Sequence, residues 1–291
     1  MHRISLPKKS ENETHQPLQL VHSDLCGSMN VDSVGGSKHV LTFTDDYTGY
    51  VTAYFIKSKS EVLSKFVEYV TMMENEIGGN GYNGGKYTSQ YFKKFCADKR
   101  IAHQFTNPYT PGQNGVSERL NRILIESTKS MLIHAQMPLK FWAETVNTAV
   151  YLHNRSTKSA LKDKTPFESW FGKKPKVSNL NVFGSVCFFH TPDHLQKKLD
   201  PKCRKAIFVG YPLESKGYKV YEVDAKRFTR SRDVVFHENK FHTFDEVTNC
   251  TFFYKDNVDD ETQPDDVRDG LKFPQFPAFQ PLPQSLQRIY L

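Results

Sequence analysis

LQLVHSDLCGSMNVDSVGGSKHVLTFTDDYTGYVTAYFI, residues 18–56, decides the fold. Three runs within it, LQLVHSDL (18–25), KHVLTFTDD (38–46) and YVTAYFI (50–56), are rich in the β-branched and aromatic residues that suit a pleated, half-buried surface. DYTG (46–49) reads as the turn of a hairpin between the second run and the third. SKSEVLSKFVEYVTMMENEI (58–77) follows with a capping-type start and helical periodicity, which predicts Val62, Leu63, Phe66, Val70 and Met73 on one broad face. Three strands leading into an amphipathic helix predict a sheet with a helix laid against it.

Outward from this block, residues 1–16 read as a flexible lead. IGGNGYNGGK (77–86) holds five glycines in ten positions and reads as loop. TSQYFKKFCADK (88–99) reads as a short helix and IAHQFT (101–106) as a short strand; long helices are predicted from Gln113 to Ala135 and from Leu139 to Asn154. After Lys176 the character changes. VFGSVCFFH (182–190), KAIFVGY (205–211), GYKVYEV (217–223) and RDVVFHE (232–238) are short apolar or alternating runs set between turn-forming clusters, the pattern of a small antiparallel barrel or sandwich. DDETQPDDVRDG (259–270) is acidic and FPQFPAFQPLPQ (273–284) proline-rich, so the end reads as a disordered linker or extended arm. The fold class is therefore α/β: a mixed sheet flanked by helices over 17–176, a small all-β domain over 177–242, and a tail over 243–291.

Hydrophobic residues make up 38% and aromatics 13% of 291 residues, enough for a real core, while no apolar run approaches the ~18 residues of a membrane span. The polar start MHRISLPKKSENETHQ does not read as a secretory signal. Cys26, Cys96, Cys187, Cys203 and Cys250 are scattered, odd in number and never spaced as CxxC, which predicts reduced thiols in an intracellular protein of nucleus or cytoplasm. Net charge is +7, with Lys and Arg concentrated between Arg155 and Lys240, so an anionic partner such as nucleic acid competes with a merely soluble basic surface.

Two acids stand out. Asp24 closes the first strand beside a glycine turn, where it can face a cleft or serve as a turn-former. Glu118 lies in PYTPGQNGVSERLNRIL (108–124), in which Pro108 and Pro111 hold a loop running into a helix. On that helix Val116, Leu120, Ile123, Leu124, Met131 and Leu132 are expected towards the core, with Glu118, Arg122 and Lys129 on or near the other side. Periodicity alone favours an i,i+4 Glu–Arg pair on a solvated face.

Taken together, HSDLCG (22–27), LTFTDDYTGY (41–50), NGGKYTSQYF (83–92), PYTPGQNGVSERLNRIL, TPFESWFGKKPKVSNL (165–180), VFGSV (182–186), KLDPKCRKAIFVGY (198–211) and SRDVVFHE (231–238) resemble the integrase region of Copia-type retrotransposon polyproteins. The resemblance runs from about residue 17 to about 242. It implies an RNase H-like core followed by an SH3-like domain, and a phosphoryl transfer that trims a retroelement DNA end and joins it to target DNA. It also implies an Asp, Asp, 35-residue gap, Glu set holding two Mg²⁺ or Mn²⁺ ions. Such a pair, about 3.5–4 Å apart, stabilises charge on both the attacking and the leaving oxygen, and hard cations take carboxylate oxygens.

Residue by residue, Asp24 matches the first Asp and Glu118 the Glu, while the middle position, 35 intervening residues before Glu118, holds Tyr82. A tyrosine is neutral near pH 7, and Lys86 stands where the resemblance implies an acid. ENEIGGNGY (74–82) has one aliphatic residue, Ile77, so the strand that should aim that middle side chain is expected to be absent or malformed. Asp45 and Asp46 are weighed as substitutes and set aside as ordinary family residues. No His/Cys cluster precedes the core, so the family's zinc-binding segment is missing. By resemblance, Tyr109, Gln113, Asn114, Arg122 and Lys129 would contact DNA, helped by Lys197, Lys198, Lys202, Arg204, Lys205, Arg227, Arg230 and Arg232 of the β module. His103 reads as a packed histidine, and GKKPK (172–176) as a short basic run with weak nuclear-signal character. The implied partners are retroelement and target DNA and further copies of the chain, with no membrane and no small-molecule cofactor. The expected function is an integrase fragment with impaired catalysis; the alternative is a domesticated or decayed copy that binds nucleic acid, or a partner integrase, without chemistry.

Overall fold

A computed structural model describes residues 14–77, 102–104, 115–190, 202–212, 216–244 and 288–290, with backbone alone for 74–77, 102–104 and 288–290. Its architecture is α/β, with a mixed sheet between helices and a second, all-antiparallel sheet. In the first sheet β1 (Val21–Cys26), β2 (His39–Asp45) and β3 (Val51–Ile56) form an antiparallel meander. Asp24 stands opposite Thr42, and Val21 opposite Asp45. The sheet continues beyond β1 with two parallel neighbours: β10 (Arg288–Tyr290) lies beside β1, and β4 (Ala102–Gln104) lies beyond β10. The order is thus β3-β2-β1-β10-β4. The sequence reading of the tail as linker or extended arm gives no hint of this pairing. Residues 78–101, including Tyr82 and Lys86, lie outside the described residues.

Every residue of β2 is buried, as a strand covered on both faces requires. One face carries α1 (Val62–Ile77), whose Phe66, Tyr69, Val70 and Met73 meet Leu41 and Phe43. Val62 and Leu63, expected on this face, are only partly buried. The helix starts as the sequence predicts: the Ser58 hydroxyl accepts from Ser60 N–H, and the Glu61 carboxylate accepts from Ser58 N–H at 2.9 Å, after one 3-10 turn.

The opposite face carries α2 (Gly115–His134) and α3 (Trp142–His153). The buried stripe of α2 is Ser117, Leu120, Asn121, Leu124, Ile125, Thr128 and Leu132. This corrects the expected face: Val116 and Ile123 are exposed, because polar Ser117, Asn121 and Thr128 turn towards the interior and rotate the stripe. At the end of α3, Asn154 binds the edge strand as another strand would, donating to Val51 C=O at 2.8 Å and accepting from Val51 N–H at 2.9 Å. A short helix, α4 (Pro166–Phe171), is capped by Thr165.

The second sheet runs β8-β7-β6-β5-β9, built from β5 (Ser185–His190), β6 (Cys203–Gly210), β7 (Tyr218–Glu222), β8 (Arg227–Ser231) and β9 (Val234–Phe241). It packs on the outer side of α3, where Ile207, Val209 and Tyr221 join Phe141, Trp142 and Val146 in one core. Two glycines permit this close docking. A Cβ on Gly184 (φ +80°) would strike Ala135, and one on Gly210 (φ +128°) would strike the Thr148 hydroxyl.

The hairpin turn is held by Asp45, which is fully buried. Its carboxylate accepts from Leu18 N–H at 2.7 Å, Thr48 N–H at 2.8 Å and the Thr48 hydroxyl at 2.6 Å. Asp45→Ala would strand these donors, and should cost roughly 2–4 kcal/mol of unfolding free energy, since each unmet buried group costs about 1–3 kcal/mol. Urea unfolding of the variant measures this; a loss under about 0.5 kcal/mol, the range of ordinary surface changes, would show that the turn does not depend on Asp45.

Candidate metal and nucleic-acid site

Asp24 sits near the end of β1, half-buried, facing the helix that carries Glu118. Its carboxylate accepts from the Asn121 side-chain amide at 2.7 Å and from Leu25 N–H at 2.9 Å. The Thr42 hydroxyl, opposite on β2, lies 3.2 Å from the Asn121 carbonyl oxygen and 3.3 Å from the Asp24 carbonyl oxygen. A chain of polar contacts therefore clamps α2 to the strand end. Glu118 is exposed in the first turn of α2, one turn before Asn121, so about 5 Å along the helix axis from the clamp. The clamp brings the Asp24 strand end and the Glu118 helix together. The helix start also favours an acid there, because its unpaired N–H groups carry partial positive charge.

Asn121 escapes sequence reasoning that counts only charged groups. The signal was available: a polar residue three positions after Glu118, interrupting an apolar stripe, implies a buried partner.

The substitute acids are excluded by position. Asp45 lies three register positions from Asp24, opposite Val21, so about 10 Å away along the strand, with its oxygens committed to the turn. Asp46 binds His22 Nε2 at 3.0 Å and the Thr14 hydroxyl at 2.8 Å. Burial pushes Asp46 up, but the bonds from His22 and Thr14 outweigh it and hold the carboxyl below its ordinary value.

Asp24 and Glu118 are the residues that could hold a divalent ion. Two hydrogen bonds leave Asp24 with free lone pairs, enough for one ion. Two carboxylates do not balance two divalent cations, and among the described residues no group of three or more His, Cys, Asp or Glu converges as a metal site. Among the described residues, Asp24 and Glu118 are thus the two carboxylates open to such an ion. Tyr82, Tyr109, Gln113 and Asn114 lie outside the described residues.

On α2, Arg122 is exposed and Lys129 half-buried. At 100° per residue both fall within about 40° of Glu118 around the helix. In the β module, Arg204 and Arg227 pair with buried Glu222 at 3.5 Å and 2.9 Å and remain exposed. Burial pushes Glu222 up, but bonds from Arg227, Thr229 and Arg204 hold it below its ordinary value. Lys202, Lys205, Arg230 and Arg232 are exposed; Lys197 and Lys198 lie outside the described residues. Among the described residues Cys26, Cys187 and Cys203 form no disulfide, and no helix is long and apolar enough to cross a membrane.

Residues 185–250 match the family described as retroviral polymerase SH3-like domain. Over 247 residues the chain is 40% identical to the retrovirus-related Pol polyprotein from transposon TNT 1-94 of Nicotiana tabacum, an alignment covering 83% of this chain and 18% of that protein. The Pol polyprotein from transposon RE1 of Arabidopsis thaliana is 32% identical over 244 residues, covering 82% of this chain and 16% of its own length. The chain therefore spans less than a fifth of these relatives. A simian T-cell lymphotropic virus intasome chain, solved in complex with the PP2A regulatory subunit B56 gamma, aligns with a TM-score of 0.44 and 17% identity, covering 79% of this chain and 84% of that one.

Burial, the largest influence on Asp24, pushes its carboxyl above its ordinary 3.8, against the lowering bonds from Leu25 and Asn121. A carboxyl raised in the fold stabilises it most below the unfolded value, and that contribution is lost as pH rises through the raised value. Asp24→Asn should therefore raise Tm at pH 7, with the gain shrinking towards about pH 4. Thermal melts across that range check it; an equal fall in Tm at every pH would make the carboxylate a structural group.

Proposed function

Because the chain belongs to the integrase region of Copia-type retrotransposon Pol polyproteins, we propose that it holds nucleic acid on an integrase scaffold whose strand-joining chemistry is impaired. The observation that carries this reading is the 2.7 Å bond from Asn121 to Asp24. It keeps the Asp24 strand end and the Glu118 helix together, while the position between them in the family's order holds Tyr82.

Displacement at a phosphodiester needs stabilisation of both the attacking and the leaving oxygen. Asp24 and Glu118 supply two of the three carboxylates, and Tyr82 contributes no charge at neutral pH. A single Mg²⁺ or Mn²⁺ bound by Asp24 and Glu118 would lend a Lewis acid for holding a phosphate rather than for in-line displacement.

The remaining residues suit binding. Arg122 and Lys129 line the Glu118 face of α2, and Lys202, Lys205, Arg230 and Arg232 add exposed positive charge on the β module. Tyr109, Gln113 and Asn114, which precede α2 in sequence, would meet the DNA end. Retroelement ends and target DNA are the proposed ligands, and self-association is proposed from the family.

Duplex binding by the full chain should weaken steeply with salt. Neutralising about four phosphates loses roughly a hundredfold in affinity between about 50 and 200 mM monovalent salt. Binding should survive Glu118→Gln, and a labelled duplex end with Mg²⁺ or Mn²⁺ should give no joined product. A folded chain that fails to bind duplex at low salt would contradict the binding half of the proposal. Robust joining abolished by Asp24→Ala would contradict the impaired half.

A further inference from the structure

β10 occupies a position its own sequence neighbourhood does not lead to. It lies between β1 and β4, parallel to both, with Ile289 opposite Val21 on one side and His103 on the other. Neither β1 nor β4 pairs directly with the other. Without β10 they would face each other across a gap one strand wide, about 9–10 Å from strand to strand. The gap would lie deep in the molecule, since Val21 is fully buried and His22 nearly so. Unpaired backbone groups at such a depth cost free energy comparable to lost hydrogen bonds. In sequence, the stretch after α1 opens with GGNGYNGGK (78–86), which holds no aliphatic residue. RIY (288–290), by contrast, brings a β-branched and an aromatic residue.

We propose that the slot between β1 and β4 is a strand-acceptor site, and that its ligand is the segment around Arg288–Tyr290 of this same chain, added by parallel backbone pairing. The segment is joined to β9 through residues 245–287, a stretch that fully extended reaches on the order of 100 Å. Such a tether does not restrict which copy supplies the strand. The acceptor takes the segment from its own chain at low concentration and exchanges it with a second copy as concentration rises, which is domain swapping through a single strand. The proposal is independent of nucleic-acid binding and would stand if the reading above failed.

The register supplies the test. Val21 and Ile289 are Cα partners, so a Val21→Cys, Ile289→Cys chain, with Cys26, Cys187 and Cys203 changed to Ala and Cys96 and Cys250 to Ser, should form a disulfide under mild oxidation. It should run as monomer on a non-reducing gel at low protein concentration, with cross-linked dimer growing as concentration rises. In a second variant, Ile289→Pro removes an N–H that a central strand needs. Amide exchange in β1 and β4 should then speed up at least tenfold while β5–β8 stay protected, and a synthetic peptide of residues 284–291 should restore protection. No disulfide in the paired variant, or unchanged exchange in Ile289→Pro, would overturn the proposal. Cross-linking confined to the monomer at every concentration would overturn exchange between copies.

Discussion

A strand in the middle of a sheet covered on both faces has no water to turn to, so each of its backbone groups must meet another strand. This constraint governs the first half of the molecule. β1 carries Asp24, aligns with β2 through six residue pairs on one side and depends on β10 on the other. α1 can cover one face, and α2 and α3 the other, only if the sheet between them is continuous. The place next to β1 is filled from the far end of the chain, and the pairing with β1 covers Val21 and His22 and not Asp24.

The second determinant is the clamp formed by Asp24, Asn121 and Thr42. It links β1, β2 and α2 by hydrogen bonds between residues 97 and 79 positions apart in the chain. Burial disfavours the charged form of Asp24, and the amide of Asn121 offsets part of that cost. Burial raises the carboxyl of Asp45 as well, but there three donors to its two oxygens tie it into the turn. The two acids differ both in depth, Asp45 being fully buried and Asp24 half-buried, and in what surrounds them.

Much of this was legible from residue type and spacing. The β-rich runs between 18 and 56 and the cap at Ser58 follow local rules, and local rules suffice for a meander and a helix start. The face of α2 was misjudged at Val116 and Ile123 because periodicity counts apolar residues, while Asn121 is turned inward by Asp24 and Thr42, partners that a linear pattern does not contain. The pairing of Arg204 and Arg227 with Glu222 across strands in the basic β module is not visible in a charge count. Least legible was β10. Three residues after a proline-rich arm carry no signal of a strand partner more than 180 positions away, because parallel pairing across such a distance is a property of the gap rather than of the segment.

The central claim is that the scaffold survives with a site too poor in carboxylates for two ions. Counting bound metal tests it most directly. Titration of the full chain with Mn²⁺, followed by electron paramagnetic resonance of the free ion, should find at most one weakly held ion per chain, lost in Asp24→Asn and in Glu118→Gln. Two tightly held ions per chain, both released by either substitution, would contradict the account.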